Sequence, residues 1–414
     1  MSRVDEVRQD TTIAELPLEA SPARLPFLSG ITRNVFVTGF VSMLTDISSE
    51  MIYPILPLFL ANVLGAGAIT IGFIEGIAES TASMLKVGSG YLSDRVGRRK
   101  PLIAIGYGAS NLIKPLLALT SAWQQVLVIR FADRVGKGIR TAPRDALIAD
   151  SSPVEQRGKA FGFHRSLDTV GAVIGPLVAF SLLAAFDNDF RLIFWLSAIP
   201  GVISIVVLIV FLQDTRSVRS ELRSVKLGFK DLGRGFVVFS LIATLFTLGN
   251  SADAFLVLRA QNLGLAVALV PLAYLTFNIT HSILATPLGS LSDKIDRRRV
   301  IIAGYLVFAV VYLGFAFTPV SWGVWLLFAL YGAYYSLTDG IQRAFVADLV
   351  PSGLRGSAMG TFNALVGITA LPASVVGGLL WQLIDPAATF VYGAAFAILA
   401  ALLLAVVPLK RSHA

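Results

Sequence analysis

One eleven-residue stretch occurs twice in this sequence, and the repetition decides the fold. Residues 90–100 read Gly-Tyr-Leu-Ser-Asp-Arg-Val-Gly-Arg-Arg-Lys, and residues 289–299 read Gly-Ser-Leu-Ser-Asp-Lys-Ile-Asp-Arg-Arg-Arg. A second pair of similar segments, 150–158 and 348–356, recurs at almost the same interval, 198 residues instead of 199. Two different motifs at one interval indicate that the chain consists of two halves of one design, arranged as parallel repeats.

The composition places both halves in a membrane. Of the 414 residues, 55% are hydrophobic and 14% are charged, whereas soluble proteins carry about 25% charged residues. A soluble protein this apolar would expose large sticky patches, which a bilayer removes. The chain contains no cysteine, so disulfides and thiolate metal sites are excluded, and three histidines are too few for a His-rich metal centre. We expect no metal and no cofactor.

Twelve apolar runs are long enough to cross a bilayer, because a spanning helix needs about 17–25 residues. They are predicted at 34–62, 68–92, 101–121, 123–149, 159–184, 190–213, 235–259, 266–291, 299–318, 321–348, 356–381 and 387–409. The predicted fold class is an all-α membrane protein with two six-helix bundles, 34–213 and 235–409. A central loop (214–234) joins the bundles, and two tails (1–33 and 410–414) flank them.

The net charge of +8 comes from alternate loops, near 95–100, 157–159, 216–234, 294–299 and 410–411. Short basic loops stay in the cytosol, so we expect a multi-pass protein of the bacterial inner membrane with both termini cytosolic. The basic residues would then contact anionic lipid headgroups and not nucleic acid. We also expect a monomer, and no cleavable signal peptide, because the first apolar run is too long for one.

The segment 90–100, placed between the second and third predicted spans, resembles the signature loop of the major facilitator superfamily. The copy at 289–299, the two sets of six spans and the basic central loop strengthen this resemblance. It implies a transporter, not an enzyme, that moves a small molecule by alternating access. In the family such loops latch the halves together in the outward-facing state, although the loop could also serve only as a topology determinant. The corresponding residues here are Gly90, Asp94, Arg95, Gly97, Arg98, Arg99, Asp293 and Arg297.

Ionisable residues inside the predicted spans are costly and mark functional sites. A rise of 1.5 Å per residue places Asp46, Glu79, Asp133 and Asp168 near the bilayer midplane, and Glu50 lies one turn from Asp46 on the same face. Burial beside a like charge favours the protonated form of a carboxyl group. We therefore predict that these five residues couple transport to the proton gradient, which would be the energy source. The alternative is that nearby basic residues neutralise them.

The fourth predicted span carries a basic stripe that could bind a carboxylate or an anionic substrate. The resemblance implies one functional arginine in this span, followed four residues later by glycine. Arg134 with Gly138 fits the glycine, whereas Arg130 fits the spacing to Asp150, and both remain candidates. The residues predicted to bind substrate or line the cavity are Arg130, Arg134, Lys137, Asp253, Asp339 and Arg343, with Tyr53, Tyr274, Tyr331, Tyr334 and Tyr335 as further lining candidates.

Residues Gly171, Gly175 and Pro176 resemble the core of an antiporter motif of the family, although the downstream glycine pair of that motif is absent. The resemblance favours a proton-coupled antiporter that exports a small amphipathic or anionic solute. One alternative is a proton symporter that imports an organic anion or a carboxylate siderophore. Another is a membrane receptor or sensor that has the same fold and transports nothing.

Overall fold

The computed structural model describes residues 31–96, 98–153, 156–214, 232–351 and 354–408, apart from the side chains of 87 and 90–96. The described ranges contain twelve helical segments. In chain order they are α1 (Arg33–Asn62), α2 (Ala68–Val96), α3 (Lys100–Leu119), α4 (Trp123–Asp150), α5 (Arg157–Ala185), α6 (Phe190–Phe211), α7 (Gly233–Asn262), α8 (Val267–Lys294), α9 (Arg297–Phe317), α10 (Gly323–Asp348), α11 (Arg355–Leu383) and α12 (Pro386–Val406). Each coincides with one predicted span to within a few residues, which confirms the all-α fold class.

Nine of these twelve segments, counted over the described ranges, are long and apolar enough to cross a membrane. The other three are α2, α4 and α10, which carry more charged or tyrosine side chains. All three contribute polar residues to the central cavity described below. Their lower hydropathy therefore reflects a face turned toward the cavity instead of toward lipid. The predicted central loop and both tails fall almost entirely outside the described residues.

Several helices begin where the sequence supplies a capping carboxylate. Asp189 accepts hydrogen bonds from the backbone of α6, including Arg191 N at 2.9 Å, and Asp385 accepts one from Ala387 N at 2.7 Å. Asp296, which stands where the first copy of the repeat has glycine, accepts one from Arg298 N and so caps α9. A side-chain oxygen at this position satisfies a backbone N–H that has no partner within the helix.

The repeat predicted from the sequence is visible in matched ion pairs of the two halves. Arg99 contacts Asp150 at 2.8 Å, and Arg297 contacts Asp348 at 2.7 Å. The structural equivalent of Arg99 is thus Arg297, one position earlier than the sequence alignment of the two loops gives. The second loop is therefore one residue shorter. Helices α1 and α7 are also broken at equivalent points, after Ile52 and Gly249.

The two halves pack closely on the face opposite the basic loops. A Cβ added at Gly76 of α2 would lie 2.9 Å from Leu371 Cα, and one added at Gly378 of α11 would lie 2.6 Å from Ala68 O. Near the basic loops the two halves are instead separated. Outside its own helix, no described atom lies within 4 Å of a Cβ added at Gly289 or at Gly340. The space between the halves is therefore closed on one face and open on the face that carries the basic loops.

Candidate functional site

The open space between the halves forms a continuous cavity of three connected parts. The wide part next to the basic loops measures about 770 Å³, and a deeper part measures about 330 Å³. They share Asp46, Lys137 and Tyr335 on their walls. A third part of about 260 Å³ shares Tyr53 and Asp253 with the deep part. A solute entering near the basic loops can thus reach the broken region of α1 and α7.

The structure brings the predicted proton-coupling and cavity residues to this one space. In the sequence they are spread over α1, α2, α4, α5, α7 and α10. The deep part is lined by Asp46, Glu50, Glu79, Arg130, Asp133, Arg134, Lys137 and Asp253. The wide part is lined by Asp46, Lys137, Asp168, Asp339 and Arg343. Their common location depends on six helices meeting, as expected for a carrier site between repeats.

Two arginines of α4 are held by carboxylates of α2. Arg130 donates to Glu75 through Nε at 3.1 Å and Nη2 at 2.5 Å, and the two side chains are 6% and 4% exposed. Arg134 lies 3.6 Å from Glu79 and 3.7 Å from Asp133. Our prediction did not include Glu75 in the site. The signal was present in the sequence, because the four-residue spacing of Glu75 and Glu79 matches that of Arg130 and Arg134.

Asp133 is more tightly held than the other predicted coupling residues. Its Oδ1 accepts a hydrogen bond from Ser110 at 2.5 Å, and its Oδ2 lies 3.7 Å from Arg130 and from Arg134. The alternative of mutual neutralisation therefore describes Asp133 well. Asp168 lies in the wide part of the cavity, 3.4 Å from His164 on the preceding turn of α5.

Asp46 and Glu50 differ from these carboxylates, since neither forms an ion pair within the described part of the chain. Glu50 Oε2 is buried and has no hydrogen-bond partner among the described residues. Unpaired carboxylates at membrane depth are costly, so they indicate a function that needs them. The sequence-based preference for these two residues as proton carriers remains a prediction, and the geometry supports it.

The two glycines of the antiporter-like motif lie directly against this pair of carboxylates. A Cβ at Gly171 would stand 2.9 Å from Asp46 Cβ, and one at Gly175 would stand 2.5 Å from Glu50 Cβ. The four-residue spacing of the glycines on α5 thus matches that of the carboxylates on α1. Pro176 follows inside α5. Small residues permit this close approach of two helices.

Four cations on the cavity wall form no ion pair with any carboxylate of the described ranges. They are Lys86, Lys137, Arg140 and Arg165. A fifth cation, Lys114, lines the deep part, is 4% exposed, and donates to Ser49 Oγ at 2.8 Å. Of these, our prediction named only Lys137 as a site residue. The positions of the others inside predicted spans were the available signal.

The aromatic lining was partly predicted. Tyr53, Tyr274 and Tyr335 line the deep part of the cavity, as expected. Tyr331 and Tyr334 pack behind them, with their ring centroids 5.4 and 5.2 Å from that of Tyr335. Phe277 also lines the deep part and was not predicted.

The predicted latch is only partly within the described structure. Gly90, Asp94, Arg95 and Gly97 lie outside the residues whose side chains are described. Arg98 is exposed, and Arg99 pairs with Asp150. Within the second half, Arg297 contacts Asp293 at 2.6 Å and Asp348 at 2.7 Å. These pairs lie inside single halves in this basic-face-open conformation, and the latch between halves stays a prediction.

The sequence model of a protein family, the Major Facilitator Superfamily, matches residues 38–258 and 239–414 of this chain. The chain belongs to the major facilitator superfamily. It is 40% identical over 380 residues to an uncharacterized MFS-type transporter of Methanocaldococcus jannaschii, covering 90% of this chain and 94% of that protein. It is 24% identical over 292 residues to a multi-drug resistance efflux pump of Streptococcus pneumoniae, covering 68% of this chain and 72% of the pump.

Among solved structures, a point mutant of the nucleoside transporter NupG superposes with a TM-score of 0.76 at 12% sequence identity. The match covers 90% of this chain and 98% of that one. This likeness shows the shared fold. Together with the family match, it confirms the predicted multi-pass membrane transporter built from two six-helix halves. Transporters of this superfamily bind small-molecule substrates, which agrees with the partner predicted for this chain.

Proposed function

We propose that this transporter is a proton-coupled carrier of organic anions, and that proton and anion cross the membrane in the same direction. The observation that supports this is the composition of the cavity wall. Asp46 and Glu50 are carboxylates without an ion pair in the described structure, and they stand in the same cavity as Lys137 and Arg140, cations that likewise have none there. The proton gradient would supply the energy, without a cofactor.

An anionic solute suits this cavity because its walls hold unused positive charge. Arg130 and Arg134 are engaged by Glu75 and Glu79, so they are largely neutralised. Lys137 is exposed to the cavity and has no carboxylate partner in the described structure. Cations in a water-filled cleft with low-dielectric walls attract and hold anions.

The same arrangement favours movement of both charges together. An anion bound near Asp46 and Glu50 stabilises their protonated forms, since it repels their charged forms. Linkage is reciprocal, so protonation of these residues also strengthens binding of the anion. The loaded carrier then holds both a proton and an anion. Such positive coupling produces symport, which the sequence-based interpretation had kept as the alternative to export.

Antiport remains the second candidate because of the packing of α5. Gly171 and Gly175 lie against Asp46 and Glu50, as expected if the antiporter-like motif acts on the coupling residues. The similarity to an efflux pump also supports antiport. In this case the solute and the proton would have to compete for the carboxylates. A cationic or neutral amphipathic solute would do this better than an anion.

We further propose that the basic loops face the cytosol of a bacterial cell, following the positive-inside rule. The conformation described here would then be inward-open. Both termini would be cytosolic, and the basic loops would contact anionic headgroups. Each half packs against the other within one chain, so we propose a monomer as the transporting unit.

Proteoliposomes with a pH-sensitive dye trapped inside distinguish these mechanisms. A panel of membrane-impermeant dicarboxylates and sulfonates is added outside in the absence of an imposed gradient. Symport acidifies the interior, antiport makes it alkaline, and the sign does not depend on the orientation of the inserted protein. Cationic amphipathic drugs are added in parallel to test the second candidate.

Asp46→Asn and Glu50→Gln are expected to abolish the pH change. Asp187→Asn, an exposed carboxylate outside the cavity, serves as the matched control and should leave it intact. Solute uptake with no pH change in the wild-type protein would refute proton coupling.

A further inference from the structure

The deep part of the cavity, about 330 Å³ in volume, has two chemically different walls. The wall from the first half is charged, and its cations, among them Lys137 and Arg140, stand beside carboxylates that include Asp46 and Glu50. The wall from the second half is mainly aromatic and carries Tyr274, Phe277 and Tyr335 beside one carboxylate. A solute in this space would contact positive charge on one side and ring faces or edges on the other.

The aromatic wall is continuous. The ring of Phe277 lies with its centroid 5.2 Å from Tyr335, 5.3 Å from Tyr274 and 5.5 Å from Tyr331. Tyr53 of the first half extends this surface, 5.7 Å from Tyr274. Rings at these separations pack in offset or edge-to-face arrangements, and a bound ring gains the same type of contact.

The charged wall contains hydrogen-bond donors that have no partner among the described residues. Arg140 is 5% exposed, and its Nε and Nη1 atoms are buried without a hydrogen-bond partner in the described structure. Its guanidinium stacks over Tyr107 at 4.0 Å, which holds it in place. Buried donors without partners are costly, so an anionic group that accepts from Arg140 and Lys137 would remove that cost.

A carboxylate from the second half completes the site. Asp253 Oδ1 accepts a hydrogen bond from Tyr331 Oη at 2.7 Å, while its other oxygen has no hydrogen bond within the described ranges. Asp253 also forms no ion pair there, although it lines the deep part of the cavity. An ionised carboxylate can only accept hydrogen bonds. It would therefore select a solute that carries a donor.

We propose that the substrate is a single-ring aromatic anion with a hydroxyl or ammonium donor at the end opposite its charged group. The inference rests on the proposed function and adds the chemical class of the solute. The anionic group contacts Lys137 and Arg140, the ring packs on Tyr274 and Phe277, and the donor reaches Asp253. The volume of the deep part is near the lower limit of ligand pockets, about 300–1,000 Å³, which suits one ring.

The test uses four permanently charged probes, which cannot cross a bilayer as neutral acids. They are para-hydroxybenzenesulfonate, para-methoxybenzenesulfonate, benzenesulfonate and cyclohexanesulfonate, each titrated calorimetrically into the full chain in lipid nanodiscs. The aromatic ring should make benzenesulfonate bind about two- to tenfold more tightly than cyclohexanesulfonate. The hydroxyl donor should make the first probe bind about tenfold more tightly than its methoxy analogue. Equal affinities for the aromatic and saturated rings would overturn the inference.

Two variants separate the walls. Phe277→Leu keeps an apolar side chain and should remove the preference for the aromatic ring. Phe315→Leu, a buried aromatic residue outside the cavity lining, is the matched control and should keep that preference. Lys137→Gln should weaken all four probes by a similar factor, because it removes charge without changing the aromatic wall. A Phe277→Leu protein with an unchanged preference for the ring would refute the assignment of that wall.

The failure of this inference differs from the failure of the proposed function. If an aliphatic anion drives proton uptake in vesicles and the aromatic probes do not bind, the aromatic substrate class is wrong and the carrier function stands. If no anion, aliphatic or aromatic, moves protons, the proposed function itself is wrong.

Discussion

Replacement of Glu75 by glutamine tests whether the ion pair between α2 and α4 stabilises the first half. The change keeps the shape of the side chain but leaves Arg130 charged and buried, with Asp133 at 3.7 Å as its remaining carboxylate neighbour. Removing one partner of a buried pair costs about 3–5 kcal/mol. Because Asp133 compensates in part, we expect the free energy of unfolding to fall by the lower end of this range, about 3 kcal/mol. This corresponds to a more than hundredfold shift in the unfolding equilibrium.

The matched control is Asp339→Asn, which breaks the pair between Asp339 and Arg343. These side chains are 38% and 49% exposed, and exposed pairs contribute only about 0–1 kcal/mol. Both variants are unfolded reversibly by SDS in mixed micelles and followed by circular dichroism. Equal losses of stability in Glu75→Gln and Asp339→Asn would refute the reasoning. The double variant Glu75→Gln with Arg130→Gln should lose less stability than the sum of the single variants, because no unpaired charge remains.

Two further predictions concern helix contacts. Gly175→Ala should uncouple proton movement from solute movement in vesicles, because its methyl group would displace Glu50. Gly162→Ala on the same helix meets open space and should behave as wild type. Equal coupling in the two variants would contradict the proposed packing. The second prediction uses cysteine labelling, which is direct because the chain contains no cysteine of its own. In the conformation described here, Gly340→Cys should react with a membrane-impermeant maleimide from the basic-loop face, and Gly76→Cys should not. Equal labelling would show that the cavity is not closed on the opposite face.

The helices themselves could be predicted from the sequence because their signals are local. Runs of apolar residues determine the spans, and the predicted orientation, which rests on charges in alternate loops, stays a prediction. The equivalence of the halves was also visible, although the one-residue difference between Arg99 and Arg297 was not. That difference depends on which arginine reaches Asp150 or Asp348, and only the packed structure shows it.

The partners inside the cavity were harder to predict. The sequence showed that acids and bases share a bundle. It did not show that Glu75 pairs with Arg130, nor that Asp46 and Glu50 have no ion-pair partner among the described residues. The pairing depends on the rotation of α2 against α4. There a Cβ at Gly138 would lie 2.6 Å from Leu85 Cβ, so close packing sets that rotation.

Phe277 illustrates a different limit. In a soluble protein an apolar residue indicates the buried face of a helix. In a membrane span, lipid and protein interior are both apolar, so an aromatic residue carries little information about which of the two it faces. The aromatic wall of the cavity therefore became visible only in the structure, through the ring contacts of Phe277 with Tyr274 and Tyr335.

The central claim is that Asp46 and Glu50 carry the proton and do not merely support the fold. The most direct measurement uses the variant Glu50→Gln, whose glutamine mimics the protonated carboxyl group, and compares two of its transport modes in proteoliposomes. Exchange of labelled for unlabelled anion needs no release of a proton, whereas accumulation driven by a proton gradient does. We predict that Glu50→Gln retains exchange near the wild-type rate and loses gradient-driven accumulation. Loss of both modes to the same extent, or retention of both, would contradict the claim.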